Sequence, residues 1–354
     1  DLRMSRGLGD VYKRQFLMCL LFGMLPPNVA YIGIVTCICT FVGLVMNMYY
    51  TRLLVPDIRL KKCYVHWIKV KELISAGMWN SISRLSQVLS DGLDLVITNI
   101  WISAYLMGEL SIAQQIPTYI STLTNTLINL FSPNLTMYYA KDDTEAVVKE
   151  LKLSMKFSSF FVNIIFCILV IFGKYFMQLW VPNQDVNLIY SLLVVIMMSL
   201  LVSGVTTSLN NVFLVTNRLK VNSIFWLIIS FTNVLLVFIF LNTTSLGIYA
   251  VAGVSKVTGI LGNLIFVPLY ACKCLKIKWN TFYPIIFRYI GTTFIMMIVF
   301  FGIKRLYVLP INWITFFVVC VIAGVAGCIV NFFVLLNHTE RSIMKNKIMA
   351  RVRK

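Results

Sequence analysis

Residues 78–102, MWNSISRLSQVLSDGLDLVITNIWI, are long enough to cross a bilayer, yet they carry Arg84, Asp91 and Asp94. An ionisable side chain near the middle of a membrane helix costs roughly 2.5 to 3.5 kcal/mol on insertion scales, so it turns toward a watery or protein-lined interior. The spacing identifies the face. Asn80, Arg84, Gln87, Asp91, Asp94 and Thr98 recur at steps of four, three, four, three and four, which draws one stripe along an α-helix. The rest of the chain must fold so that this stripe does not meet lipid.

Hydrophobic residues make up 59% of the 354, charged residues 12%, and the mean hydropathy is +0.85, which excludes an ordinary soluble protein and indicates an all-α polytopic membrane protein. The formal charge of +18 does not point to nucleic acid, because Lys and Arg fall in short clusters between apolar runs, as in the cytoplasmic loops of such proteins. Nine cysteines lie in apolar segments or beside basic loops without zinc-like spacing, and all nine read as reduced packing residues. No metal site and no cofactor motif is found.

Residues 1–15, DLRMSRGLGDVYKRQ, lack helix-start logic or a cleavage site and resemble translated adapter tails at the ends of metagenomic gene fragments. They are set aside as a non-native tail. Residues 16–25 are half a span ending at Pro26-Pro27, and 29–50 a full one, so 16–54 holds one partial and one full helix. The chain is therefore expected to be N-terminally truncated. Residues 55–77 form a basic, cytoplasmic linker in which YVHWIKVKELI predicts a short interfacial helix. The striped helix is followed by spans at 111–139, 153–172, 188–215, 221–241, 247–271, 284–303 and 311–336, with a basic tail from 337 to 354. Their connections alternate between basic and mostly uncharged, Lys304 and Arg305 excepted, which predicts a cytoplasmic C-terminus.

A second stripe runs through Gln114, Thr118, Ser121, Asn125, Asn129, Ser132 and Thr136, flanked by Pro117 and Pro133, which points to a kinked, cavity-lining helix. Such residues also serve as hydrogen-bonding glue between packed helices. Lys256 falls near mid-depth of its span and Arg84 nearer the cytoplasmic side. Two cations inside the hydrocarbon region require partners or an anionic ligand. Asp91 is too far along its helix for a direct pair with Arg84, which leaves Lys256 as its candidate partner in a structural ion pair. Ser203, Thr206, Thr207, Asn210 and Asn211, and Ser230, Thr232 and Asn233, are further, unspecific polar clusters. His66 and His338 lie outside the spans, and no nucleophile motif or phosphate-binding glycine loop is present.

The order of these features resembles the Wzx-type polysaccharide (O-antigen) flippases of the multidrug/oligosaccharidyl-lipid/polysaccharide superfamily. The resemblance is carried by KELISAGMWNSISRLSQVLSDGLDLVIT, LMGELSIAQQI and FSPNLTMYYAKDDTEAVVKELKLSMK. It implies a MATE-like fold in which 78–272 is the second six-helix lobe, 273–336 the two extra helices of fourteen-helix flippases, and 16–54 a remnant of the first lobe. It also implies a non-enzymatic transporter, moving a lipid-linked (polyprenyl-pyrophosphate) oligosaccharide across the bacterial inner membrane by alternating access. In that reading Arg84 and Lys256 attract pyrophosphate, and Gln114, Asn125 and Asn129 hydrogen-bond sugar. Asp91 or Asp94 binds a coupling H+ or Na+ or gates the cavity, and the partners are the lipid-linked substrate, the bilayer and polysaccharide-assembly proteins. Two rival classes are a cation-coupled multidrug extruder, which would want acidic residues and aromatics in its cavity, and a polytopic enzyme of polysaccharide synthesis, for which the short outer loops leave little room.

Overall fold

A computed structural model describes residues 16–20, 23, 30–54, 66–306 and 312–335. The expectations for residues 1–15, for the basic tail and for Cys63 and His338 concern residues outside these. The described residues fold into helices, labelled α1 (Ala30–Leu54), α2 (Trp67–Ile97), α3 (Ala104–Asn129), α4 (Ser132–Ala140), α5 (Thr144–Trp180), α6 (Val186–Thr206), α7 (Asn210–Val215), α8 (Leu219–Thr243), α9 (Ile248–Leu261), α10 (Val267–Leu275), α11 (Tyr283–Leu306) and α12 (Trp313–Val334). The chain divides into two compact units, 1–72 and 73–354. The first contains α1, an apolar helix of 25 residues.

Among the described residues, seven helical segments are long and apolar enough to cross a membrane: Gly33–Leu54, Thr144–Trp180, Val186–Val215, Leu219–Thr243, Ile248–Leu275, Tyr283–Arg305 and Trp313–Val334. The striped helices α2 and α3 are not among them. Their 31 and 26 residues suffice in length, at roughly 1.5 Å per residue, but the polar stripes lower their hydropathy.

Several boundaries differ from those read off the sequence. The interfacial helix and the striped span are one uninterrupted helix from Trp67, because no proline intervenes and the one glycine, Gly77, costs only about 1 kcal/mol. The helix after it starts at Ala104, where the Ser103 hydroxyl accepts from the Leu106 N–H, and it stops at Asn129. Pro133 then sits in the first turn of α4, so the predicted kink is a break, whereas Pro117 is carried inside α3. Asp143 caps α5 by accepting from the Ala146 N–H, and Asp185 caps α6 by accepting from the N–H groups of Asn187 and Leu188. Gly247 enters α9 at φ +53°, a conformation that side chains other than glycine's rarely adopt.

In the second unit α5 is the central helix, packing most extensively against α6 and also receiving α11 and α12. Gly204 of α6 lies so close to α5 that an added Cβ would stand 2.6 Å from a Val162 methyl. On the opposite side the Asn163 amide donates to Asn331 Oδ1 at 3.1 Å, the Asn331 amide donates to the Phe160 carbonyl, and Gly327 admits Ile164. Helix α12 is thus bolted to α5 by buried amides. The apolar core falls into two clusters. One contains Phe166, Phe172, Leu193, Met197, Val251 and Phe300. The other lies at the end of the bundle that carries Lys141, Arg218 and Lys273 and contains Leu151, Phe213, Val267, Phe282 and Tyr289. The eight described cysteines are free thiols.

Gly204→Ala is expected to destabilise the unit by about 1–3 kcal/mol through overpacking against Val162. Gly253→Ala, whose added Cβ meets nothing within 4 Å, should not destabilise it. Thermal unfolding of the chain in lipid nanodiscs, followed by circular dichroism, compares the two.

Candidate functional site: a polar cavity in the helical bundle

Helices α2 and α8 are held together by hydroxyls. Ser83 and Ser223 share a 2.7 Å hydrogen bond, Ser223 also bonds the Trp79 carbonyl at 2.9 Å, and one heptad further on Ser230 donates to the Ser86 carbonyl at 2.9 Å. The matched seven-residue steps mean that the two helices run parallel. On α3 the polar residues behave differently. Thr118, Thr122 and Thr126 each turn their hydroxyl back to the carbonyl four residues earlier, so their stripe is largely satisfied within its own helix.

Between these helices, α6 and α9 lies a cavity of about 590 Å3. Its wall is made mostly of amides and hydroxyls, with Arg84 and Gln87 from α2, Asn125 and Asn129 from α3, and Asn233 from α8. Arg84 and Lys256 are the charged side chains among the described lining residues, and both are positive. Regular helix fails on two sides of the cavity. After α6 the chain tightens into a 3-10 turn at Thr207–Leu209, and after α9 it widens into a π turn at Gly262–Phe266. Thr206 donates to Asn263 Oδ1 at 3.3 Å, so the two irregular segments meet. Wide π turns recur at functional sites. Trp226 fits its indole onto Gly262, where an added Cβ would come within 3.0 Å of the ring.

Of the residues singled out in the sequence, the structure brings Arg84, Lys256, Asn125 and Asn129 to this one cavity. Arg84 is exposed to it and donates to Gln87 Oε1 at 3.3 Å, and Lys256 is half-buried. Gln114 stands elsewhere. Its amide nitrogen is buried without a partner and the residue is not in the cavity wall. Asp94 is buried and accepts from the hydroxyl of Ser255, the residue before Lys256, at 2.9 Å. The Asp91 side chain lies outside the described residues, and with it the pair with Lys256. Sequence reasoning missed Asn222 and Asn263, which also line the cavity, although Asn222, Trp226, Ser230 and Asn233 keep helical spacing and form a third stripe. It also missed Glu109, whose carboxylate is buried at the far end of α3 with one oxygen toward the Asp185 N–H at 3.5 Å.

Chemically the cavity is a hydrogen-bonding compartment, since its amides supply both donors and acceptors, and the charged residues of its described lining are positive. Among the described residues no group of three or more His, Cys, Asp or Glu is placed to hold a metal ion.

No known protein-family profile matches the chain. It is 24% identical over 269 residues, 76% of its length, to the uncharacterized membrane protein EpsK of Bacillus subtilis (strain 168), and that match takes in 53% of EpsK. Among solved structures it is similar to the lipid II flippase MurJ in an inward closed conformation, with a TM-score of 0.53 and 16% identity over 85% of this chain and 61% of that one. The chain thus spans about half the length of the curated relative it matches. The helices and this likeness define a multi-pass membrane protein with an all-helical fold similar to that of the MurJ structure.

Asn125→Cys, on the polar wall, is expected to react with a membrane-impermeant maleimide in nanodiscs, above the background of the native thiols. Leu123→Cys, on the outward face of the same helix, should not. Equal labelling of the two would show that the stripe does not face water.

Proposed function

We propose that the chain is the lobe of a lipid-linked oligosaccharide flippase that carries the extra helix pair, and that it moves a polyprenyl-diphosphate sugar across a bacterial inner membrane for surface polysaccharide synthesis. The observation that carries this reading is the charge and chemistry of the cavity wall. A substrate with an anionic diphosphate and a hydroxyl-rich head matches cations set among amides, whereas a cationic drug does not. Support also comes from the fold likeness to MurJ, a lipid II flippase by name.

In this reading no bond is made or broken. Arg84 and Lys256 hold phosphate oxygens, and Asn125 and Asn129 bond sugar hydroxyls. Asp94, bonded to Ser255 next to Lys256, couples the cation site to a proton or sodium ion, with Asp91 one turn away on the same helix. The ends carrying Lys141, Arg218 and Lys273 face the cytoplasm, and with them the C-terminus. Assembly proteins of the polysaccharide pathway are the partners that would receive the flipped substrate.

The test is complementation of a flippase-deficient host by the longest reading frame that carries this sequence. Arg84→Ala and Lys256→Ala are each expected to abolish surface polysaccharide with membrane levels of the protein unchanged. Normal polysaccharide from both variants would end the phosphate-site reading, and drug resistance in place of polysaccharide would move the protein to the extruder class.

A further inference from the structure

The two cations occupy different levels of the cavity. The Ser83–Ser223 bond ties α2 to α8 at one level, and Arg84 and Asn222 are its immediate chain neighbours. The Asp94–Ser255 bond ties α2 to α9 at another, and Lys256 follows Ser255. Eleven residues of α2 separate Ser83 from Asp94, about 16 Å at 1.5 Å per residue. Helix α8 gives the same separation independently, since Asn233, eleven residues beyond Asn222, bonds Thr258 just past Lys256. A diphosphate is much shorter than this distance.

The Arg84 level also holds unmet hydrogen-bonding capacity. Asn222 is 9% exposed, lines the cavity, and its Oδ1 has no partner. The buried Oδ1 of Asn210 is likewise unpartnered on the cavity wall, one turn past Thr206, which meets Asn263 beside the contact of Gly262 with Trp226, four residues from Asn222. Acceptors left open on a cavity wall mark a place where something else donates. Hydroxyl groups of a sugar are such donors, and Arg84 supplies the charge for an adjoining phosphate. The Lys256 level is already equipped otherwise, with Ser255 bonded to Asp94 and Thr258 to Asn233.

Resting on the flippase reading above, we propose that the cavity holds the headgroup in two successive positions. The first is a recognition position where Arg84 takes the diphosphate and Asn222 and Asn210 take the adjoining sugar. The second is a deeper position where Lys256 takes the diphosphate alone. Selectivity for the sugar is then set before the substrate reaches mid-depth.

The test is equilibrium binding to the chain in uncharged lipid nanodiscs, using inorganic pyrophosphate and a short-chain prenyl-diphosphate monosaccharide as probes. The Arg84→Gln/Lys256→Gln double variant gives the baseline for anions on the basic helix ends. Two pyrophosphate sites above that baseline are expected, with each single variant removing one and leaving the Kd of the other within about threefold. Asn222→Ala should weaken the sugar-bearing probe about tenfold, as expected for one lost hydrogen bond, and leave inorganic pyrophosphate unchanged. A single site abolished by either Gln variant would overturn the two positions and leave the headgroup reading intact. No binding above the double-variant baseline would overturn both. Equal weakening of the two probes by Asn222→Ala, or of neither, would overturn the sugar-recognition role. Unchanged helicity and elution volume of every variant exclude misfolding as the cause of a loss.

Discussion

Hydrocarbon offers no hydrogen bonds, and most of the polar side chains inside this bundle are placed by that fact. The serines of α2 and α8 satisfy each other, Asp94 takes the Ser255 hydroxyl, and Asn163 takes Asn331. Threonines close onto their own helices. Arg84, Asn125 and Asn129 are turned toward a shared polar space rather than toward lipid. A cavity is the geometric consequence of having more polar groups than can be paired between helices, and its wall inherits whatever charge those groups carry. Here the described wall carries two positive charges and no carboxylate.

The irregular segments belong to the same logic. A 3-10 turn and a π turn each shift backbone hydrogen bonds away from the regular α pattern, and a polar compartment alongside can satisfy the groups that are freed. Thr207–Leu209 and Gly262–Phe266 both stand there, joined through Thr206 and Asn263. Trp226 packs on Gly262 and closes the apolar side of the same junction. The cavity is therefore framed by the parts of α6 and α9 whose backbone departs most from the ideal.

Much of this was legible in the sequence because periodicity survives averaging. The stripes of α2 and α3 stood out as polar residues in steps of three and four, and they led to Arg84, Asn125 and Asn129. Lys256 stood out because a lysine in an apolar run has no ordinary explanation. The third stripe on α8 was hidden, since Trp226 interrupts the polar series and the helix around it is strongly apolar. Gln114 shares the helical face of Asn125 but stands about 10 Å beyond Ser121 along the axis, past the end of the cavity; a stripe gives a direction and no depth. The fusion of linker and span into α2 was missed because a change from basic to apolar composition looks like a boundary, whereas helix termination needs proline, glycine or a cap.

Helix α5 has 37 residues, roughly 55 Å at 1.5 Å per residue, while the hydrocarbon layer is about 30 Å thick. Its second half is the apolar one, so its first turns overhang into headgroups and water. The cluster built on Leu151, Met155 and Phe213 lies toward that end, and the cluster around Phe166 and Phe172 lies along the apolar half. Where the overhang meets water, apolar contacts are held by expulsion of water, which weakens in the cold and in urea. Along the apolar half lipid tails are as apolar as the side chains, and close packing with buried amides such as Asn163 holds the helices. One helix therefore passes through two solvents, and its two ends loosen under different conditions.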